Sequence, residues 1–186
     1  MKLYYTTIGE PLSESNPSTS LGGFRSSSLV GSDKLNNLFD EISIYKSTKD
    51  ESKEYIGLMI YNDTGATVTN VKVWKNLPEN CYSNLLIAGV IPATDGDGNK
   101  YIEQIPTLDS KPLYAIFEDT YVLNKYELGD IVNGGEVGLW ICRELDMDYI
   151  KEDTNDVYEE DPENSRRFVA KEKRKSDSIE INISWD

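Results

Sequence analysis

The chain has 186 residues, 33 of them acidic and 19 basic, a formal net charge of -14 and no histidine. That length holds one ordinary domain with a real core plus extensions, and two complete domains would be cramped. Charge of this sign excludes a surface that grips nucleic-acid phosphates, since nothing would supply the counterion release that drives such binding. The missing imidazole removes the commonest general base and transition-metal ligand, and with them the triad hydrolases.

The first residues, Lys2 to Thr7, read as a short strand. They contain no apolar stretch of signal-peptide length, and no run in the chain approaches the roughly 18 residues of a membrane span. A soluble chain made in a cytoplasm, with no membrane or nucleic-acid partner, is the expectation. From Tyr5 to about residue 33 the sequence is rich in Ser and Thr and broken by Pro11, Pro17, Gly22 and Gly23. Such composition buries little apolar surface, which predicts an extended N-terminal arm over 1–33 that orders only against a neighbour. A plain disordered tail is the alternative. Leu21-Gly22-Gly23 is not a phosphate loop, because no strand precedes it and no Gly-Lys-Ser/Thr ending follows.

The domain proper is expected over 34–186. Leu35, Leu38 and Phe39 fall at i, i+3 and i+4, one face of a single helical turn with Asp33 as N-cap, and this turn should plug onto the core. From residue 54 short β-type runs alternate with turns. Tyr55 to Tyr61 ends at Asn62-Asp63-Thr64-Gly65, and Val68 to Trp74 follows with period two, which predicts that the two runs pair. Further strands are expected at Ser83 to Ala88, Lys100 to Ile105, Leu113 to Phe117, Tyr121 to Leu123, Val137 to Glu144 and Ile179 to Trp185. No helix of ten residues is indicated. The fold class is therefore all-β, an antiparallel sandwich of the immunoglobulin or jelly-roll kind with its N-terminal arm.

One insertion, about 144–175, is acidic up to Glu163 and basic from Arg166 to Lys175. Blocks of opposite sign attract within a Debye length and can fold back as a charged hairpin; a solvated loop is the bland alternative.

Candidate chemical sites are sparse. Asp95-Gly96-Asp97-Gly98-Asn99 begins like a calcium loop, but Lys100 and Pro106 stand where an EF-hand needs Gly and a bidentate Glu. A hairpin turn with φ > 0 at Gly96 and Gly98 is the simpler reading. Cys81 and Cys142 lack metal-ligand spacing; the two could pair, and Cys142 otherwise reads as a buried small hydrophobe. Acid pairs such as Asp146 and Asp148, or Glu159 and Glu160, sit in a charge run rather than a cleft. Trp74, Trp140 and Trp185 lie in strand patterns that point to the core. These residues predict no enzyme, no metal and no cofactor.

In the order and spacing of several segments the chain resembles a family of small tailed-bacteriophage virion structural proteins. The segments are Leu21-Gly22-Gly23 with Arg25-Ser26-Ser27, then Leu35 to Asp40, then Tyr55 to Asn62 with Val71 to Trp74. Leu128-Gly129-Asp130-Ile131 leading to Leu139 to Arg143 follows, with Ser178 to Ile181 as closing strand. Val132-Asn133-Gly134-Gly135 departs from the family's turn, and the insertion after Glu144 is longer than expected. The resemblance implies a non-enzymatic virion part, localised in the virion at the neck, tail, baseplate or capsid surface, that partners other virion proteins and copies of itself. Assembly contacts are expected from the arm and plug: Leu21, Gly22, Gly23, Phe24, Arg25, Leu35, Leu38 and Phe39. A carbohydrate- or host-surface-binding β-sandwich module displayed on the virion is the alternative.

Overall fold

The computed structural model describes residues 1–31, 38–39, 52–76, 83–145 and 179–186, together with the backbone of 158–161 and 164–170. In chain order the strands are β1 (Lys2–Thr7), β2 (Gly23–Leu29), β3 (Ser52–Tyr61), β4 (Val68–Asn76), β5 (Ser83–Val90) and β6 (Ala93–Thr94). They continue as β7 (Lys100–Ile102), β8 (Tyr126–Ile131), β9 (Glu136–Leu145), β10 (Tyr158–Asp161), β11 (Asn164–Ala170) and β12 (Glu180–Ser184). The helical element among the described residues is one 3₁₀ turn, Pro17–Thr19, capped by the Asn16 side chain.

All pairings are antiparallel. A seven-stranded sheet runs β5-β9-β3-β1-β2-β7-β6, and a three-stranded sheet runs β12-β4-β8. The fold is all-β and sandwich-like, as the alternating pattern predicts. The centre of the large sheet is buried on both faces, and its strands are correspondingly apolar at successive positions. Ile56, Leu58 and Ile60 of β3 and Leu139 and Ile141 of β9 meet Val71, Val73 and Ile131 of the small sheet. On the opposite face Tyr55, Met59, Trp140 and Cys142 pack with Ile102, Ile105 and Ala115. Burial pushes the Cys142 thiol up to about 11, with the Glu144 charge adding to it. This thiol is free and buried, as expected of a small hydrophobe.

Several expectations are corrected. The described residues 1–31 of the expected 1–33 arm do not await a neighbour: β1 pairs with β3 and with β2 in the middle of the large sheet. Four of the polar side chains that lower the apolar content of this stretch, Thr6, Thr7, Ser20 and Ser26, are buried and hydrogen-bonded. The predicted pair of Tyr55–Tyr61 with Val68–Trp74 does not form either. β3 lies between β9 and β1, whereas β4 lies between β12 and β8, so the Asn62–Gly65 turn carries the chain from one sheet to the other. Leu113 to Phe117 and Tyr121 to Leu123 form no ladder; single bridges join Ile87 to Glu118 and Tyr121 to Asn124. Of the three tryptophans only Trp140 is fully buried. Trp185 is exposed, and Trp74 is half-buried with the Lys125 ammonium 3.8 Å above its ring.

The charged insertion folds back where it is described. β10 and β11 form a two-stranded hairpin with Tyr158 opposite Ala170 and a bulge between Glu160 and Asp161. Cys81, Asp146 and Asp148 lie outside the described residues.

Removing residues 1–33 should therefore unfold the protein, because it takes two strands from the interior of the sheet and bares the β3 edge. Far-UV circular dichroism and a urea titration check this, and a truncated chain that keeps a cooperative transition would contradict it. Trp140→Ala should cost about 3 to 5 kcal/mol, the penalty for truncating a buried large aromatic, measured by the same titration.

Candidate interaction surface

The residues that the sequence offers as assembly contacts are mostly engaged inside the molecule. Ser20 lies against β3: its amide-side neighbour across the contact is Gly57, whose N–H donates to the Ser20 carbonyl at 2.8 Å, while the Ser20 hydroxyl donates to the Gly57 carbonyl. The Thr6 N–H donates to the Ser20 hydroxyl at 2.8 Å, and the Gly22 N–H donates to the Thr6 hydroxyl at 3.0 Å. Leu21 packs against the Trp140 side of the core, and its carbonyl accepts from the Ile105 N–H at 2.9 Å.

Glycine is required at this clamp. Gly22 has φ +89°, and a Cβ there would stand 1.9 Å from the Glu103 carbonyl oxygen; a Cβ on Gly57 would stand 2.9 Å from the Gly22 nitrogen. The glycines thus let this segment lie close against the chain's own backbone.

Phe24 is half-buried with its ring 5.8 Å from that of Tyr101. Arg25, offered as an assembly contact, donates through Nε to Glu136 Oε1 at 2.6 Å. Its guanidinium also lies 4.9 Å from the Tyr4 ring and 4.3 Å from the Tyr61 ring. Leu38 and Phe39 pack on the core as the plug predicts, with the Arg143 guanidinium 4.5 Å from the Phe39 ring. Leu35, and with it the predicted helical turn, lies outside the described residues.

A different segment presents apolar side chains outward. Between β7 and β8, Leu113 is 81% exposed, Tyr114 83%, Ile116 75% and Leu123 97%, with Val122 also exposed. This ledge is anchored firmly. Ala115 and Phe117 point the other way into the core, with the Phe117 ring 5.4 Å from that of Tyr55. The Glu103 carboxylate accepts the N–H groups of Leu113 (2.9 Å) and Tyr114 (3.3 Å). Glu118 exchanges two backbone hydrogen bonds with Ile87 of the edge strand β5, at 2.9 and 2.8 Å. Reciprocal bonds between Tyr121 and Asn124 close a turn with Val122 and Leu123 at its tip. Exposed apolar side chains are ordinary one at a time, but several on one braced segment make it the candidate interaction surface.

The Asp95–Asn99 segment is a hairpin turn between β6 and β7. The Asp95 carboxylate accepts from the Asn99 side-chain amide and from the N–H groups of Asn99 and Asp97, bonds that hold it below the usual carboxylate range. Positive φ occurs at Gly98 and not at Gly96, correcting the two-glycine expectation. Among the described residues no group of three or more His, Cys, Asp or Glu side chains could hold a metal ion. No described helix is long and apolar enough to cross a membrane.

Comparison with protein-family models, with curated proteins and with solved structures finds no match.

Sequence reasoning missed the ledge because Leu113 to Phe117 mimics a strand; the pair Lys111-Pro112 before it and the lone bridge at Glu118 show why it cannot join a ladder. It also missed Lys75, which continues the inward phase of Val71 and Val73 and is fully buried. The period-two pattern itself carried that signal.

Gly22→Ala should destabilise the protein by about 3 kcal/mol or more, through positive φ and a backbone collision together. A loss below about 1 kcal/mol in urea melts would mean the clamp is not held this way.

Proposed function

We propose that the chain is a non-catalytic structural component of a tailed-phage particle, working through protein–protein contact, with the 113–123 ledge as its principal contact surface. The observation that carries this reading is the ledge itself, where exposed Leu113, Tyr114, Ile116, Val122 and Leu123 stand on a segment pinned to Glu103 and to the edge of β5. The segmental resemblance to virion proteins supports the same class. The N-terminal residues contribute by building the sheet, and the contact role expected of them passes to the ledge. The partner is a neighbouring virion protein, met in several copies around the particle.

A glycan-binding module displayed on the virion is the second reading, and the exposed Tyr114 ring is what favours it. The ledge is otherwise aliphatic. Sugar sites combine aromatic stacking with convergent polar groups that fix orientation, and Leu113, Ile116, Val122 and Leu123 supply none.

The test is to grow phage carrying Leu113→Ser, Tyr114→Ser and Ile116→Ser together and to probe purified particles for the chain. These side chains face solvent, so the variant should fold with an unchanged urea midpoint, while its incorporation falls at least about tenfold, a loss of about 1.4 kcal/mol or more of contact energy. Equal incorporation of variant and unaltered chain would refute the ledge, and absence of the unaltered chain from particles would refute the virion assignment.

A further inference from the structure

Lysine is almost never fully buried unless its ammonium is paired, and Lys75 at the end of β4 is fully buried. Its Nζ donates to Asn84 Oδ1, to the Leu85 carbonyl at 2.7 Å and to Asp119 Oδ1, and lies 4.8 Å from the centre of the Tyr121 ring. Asp119 also accepts the Tyr121 hydroxyl at 2.6 Å. The Asn84 amide nitrogen faces Glu144 Oε2 at 3.4 Å. An amine, a carboxamide and a carboxylate thus meet at the edge of β5, with the alkyl stem of the lysine sealed in the core.

We propose that Lys75 and Asn84 join in an intramolecular isopeptide bond, with Asp119 carrying the protons. The acyl carbon Cγ of Asn84 is one C=O bond beyond the oxygen that accepts from Nζ, so the amine is held beside the carbon it would attack. Burial alone would raise the Asp119 carboxyl, but hydrogen bonds from Lys75 and Tyr121 outweigh it and hold the group below its usual value, so it rests as a carboxylate with its oxygen on the Lys75 ammonium. The Lys75 ammonium gives one proton to Asp119, and the freed amine adds to Cγ. Asp119 delivers that proton to Nδ2 and takes a second from Nζ. The Cγ–Nδ2 bond breaks, and ammonia leaves with the second proton as ammonium, returning Asp119 to its carboxylate. No oxidant, metal or cofactor enters the balance, and the step turns over once per molecule.

The product would tie β4 of the three-stranded sheet to β5, the edge strand of the seven-stranded sheet. Such a staple suits a part that must not open under load. The test is the intact mass of the purified full-length chain. It should fall short of the sequence mass by one ammonia, and tryptic digestion should yield a branched peptide linking Lys75 to Asn84. Lys75→Arg and Asp119→Ala should each restore the full sequence mass, with circular dichroism recording whether they fold. A full sequence mass for the folded, unaltered chain would overturn the proposal whatever the variants do. So would loss of water with a Lys75–Asp119 link, or an ammonia loss that persists in Lys75→Arg, which Asn133-Gly134 could produce by cyclising to a succinimide.

Discussion

The contact on which the rest of the structure depends is the one between Gly57 in the middle of β3 and the segment Ser20–Gly22. β3 is an interior strand of the large sheet: β9 holds one of its edges and β1 the other. One of its faces is closed by the small sheet, and the other must be closed by loops. Gly57 leaves room for a backbone to lie directly on that second face, and Ser20 fills the space with hydrogen bonds in both directions. Any larger residue at 57 would lift the strap, and with it the line of contacts through Leu21 to Ile105 and through Gly22 to Glu103. Glu103 then braces the ledge through its carboxylate. A sequence of short polar contacts thus fixes where the exposed apolar surface stands.

This arrangement explains why the N-terminal third misleads a reader of composition. A stretch rich in Ser and Thr is judged unable to fold because its side chains are assumed to remain in water. Here Thr6, Ser20 and Ser26 are fully buried, and the hydroxyls of Thr6 and Ser20 replace water for backbone groups of a neighbouring strand. A buried hydroxyl with a partner costs little, whereas the same hydroxyl unpaired would cost about 1–3 kcal/mol. Composition counts the hydroxyls and cannot say which are paired, since the partners lie 14 to 51 residues away.

Legibility followed local periodicity and failed at long-range pairing. The strands β3, β4 and β9 and the closing strand β12 were visible because alternation and turn residues agree within each run. The fully buried Trp140 was visible for the same reason. The neighbours were not: the short turn Asn62–Gly65 looks like a hairpin, yet Asn62 uses its side chain to hold the Ala66 and Ile131 carbonyls, both at 2.8 Å, and steers the chain across to the other sheet. In the plug, Phe39 was readable as core, because a large aromatic at the end of an i, i+3, i+4 set has few other fates. The ledge could not be read, since alternation along Leu113 to Phe117 states only that one side is buried and leaves open whether the other meets solvent or a partner.

Charge sharpens what that partner would be. With a formal net charge of -14, two copies brought together repel, and screening at physiological ionic strength removes this only beyond about 8 Å. Contact between like chains must therefore overcome repulsion at close range, while an apolar ledge offers attraction that is indifferent to sign. A partner carrying less negative charge gains the same apolar burial without the opposing term. The chemistry of the surface thus favours a different, less acidic protein over a second copy at the ledge.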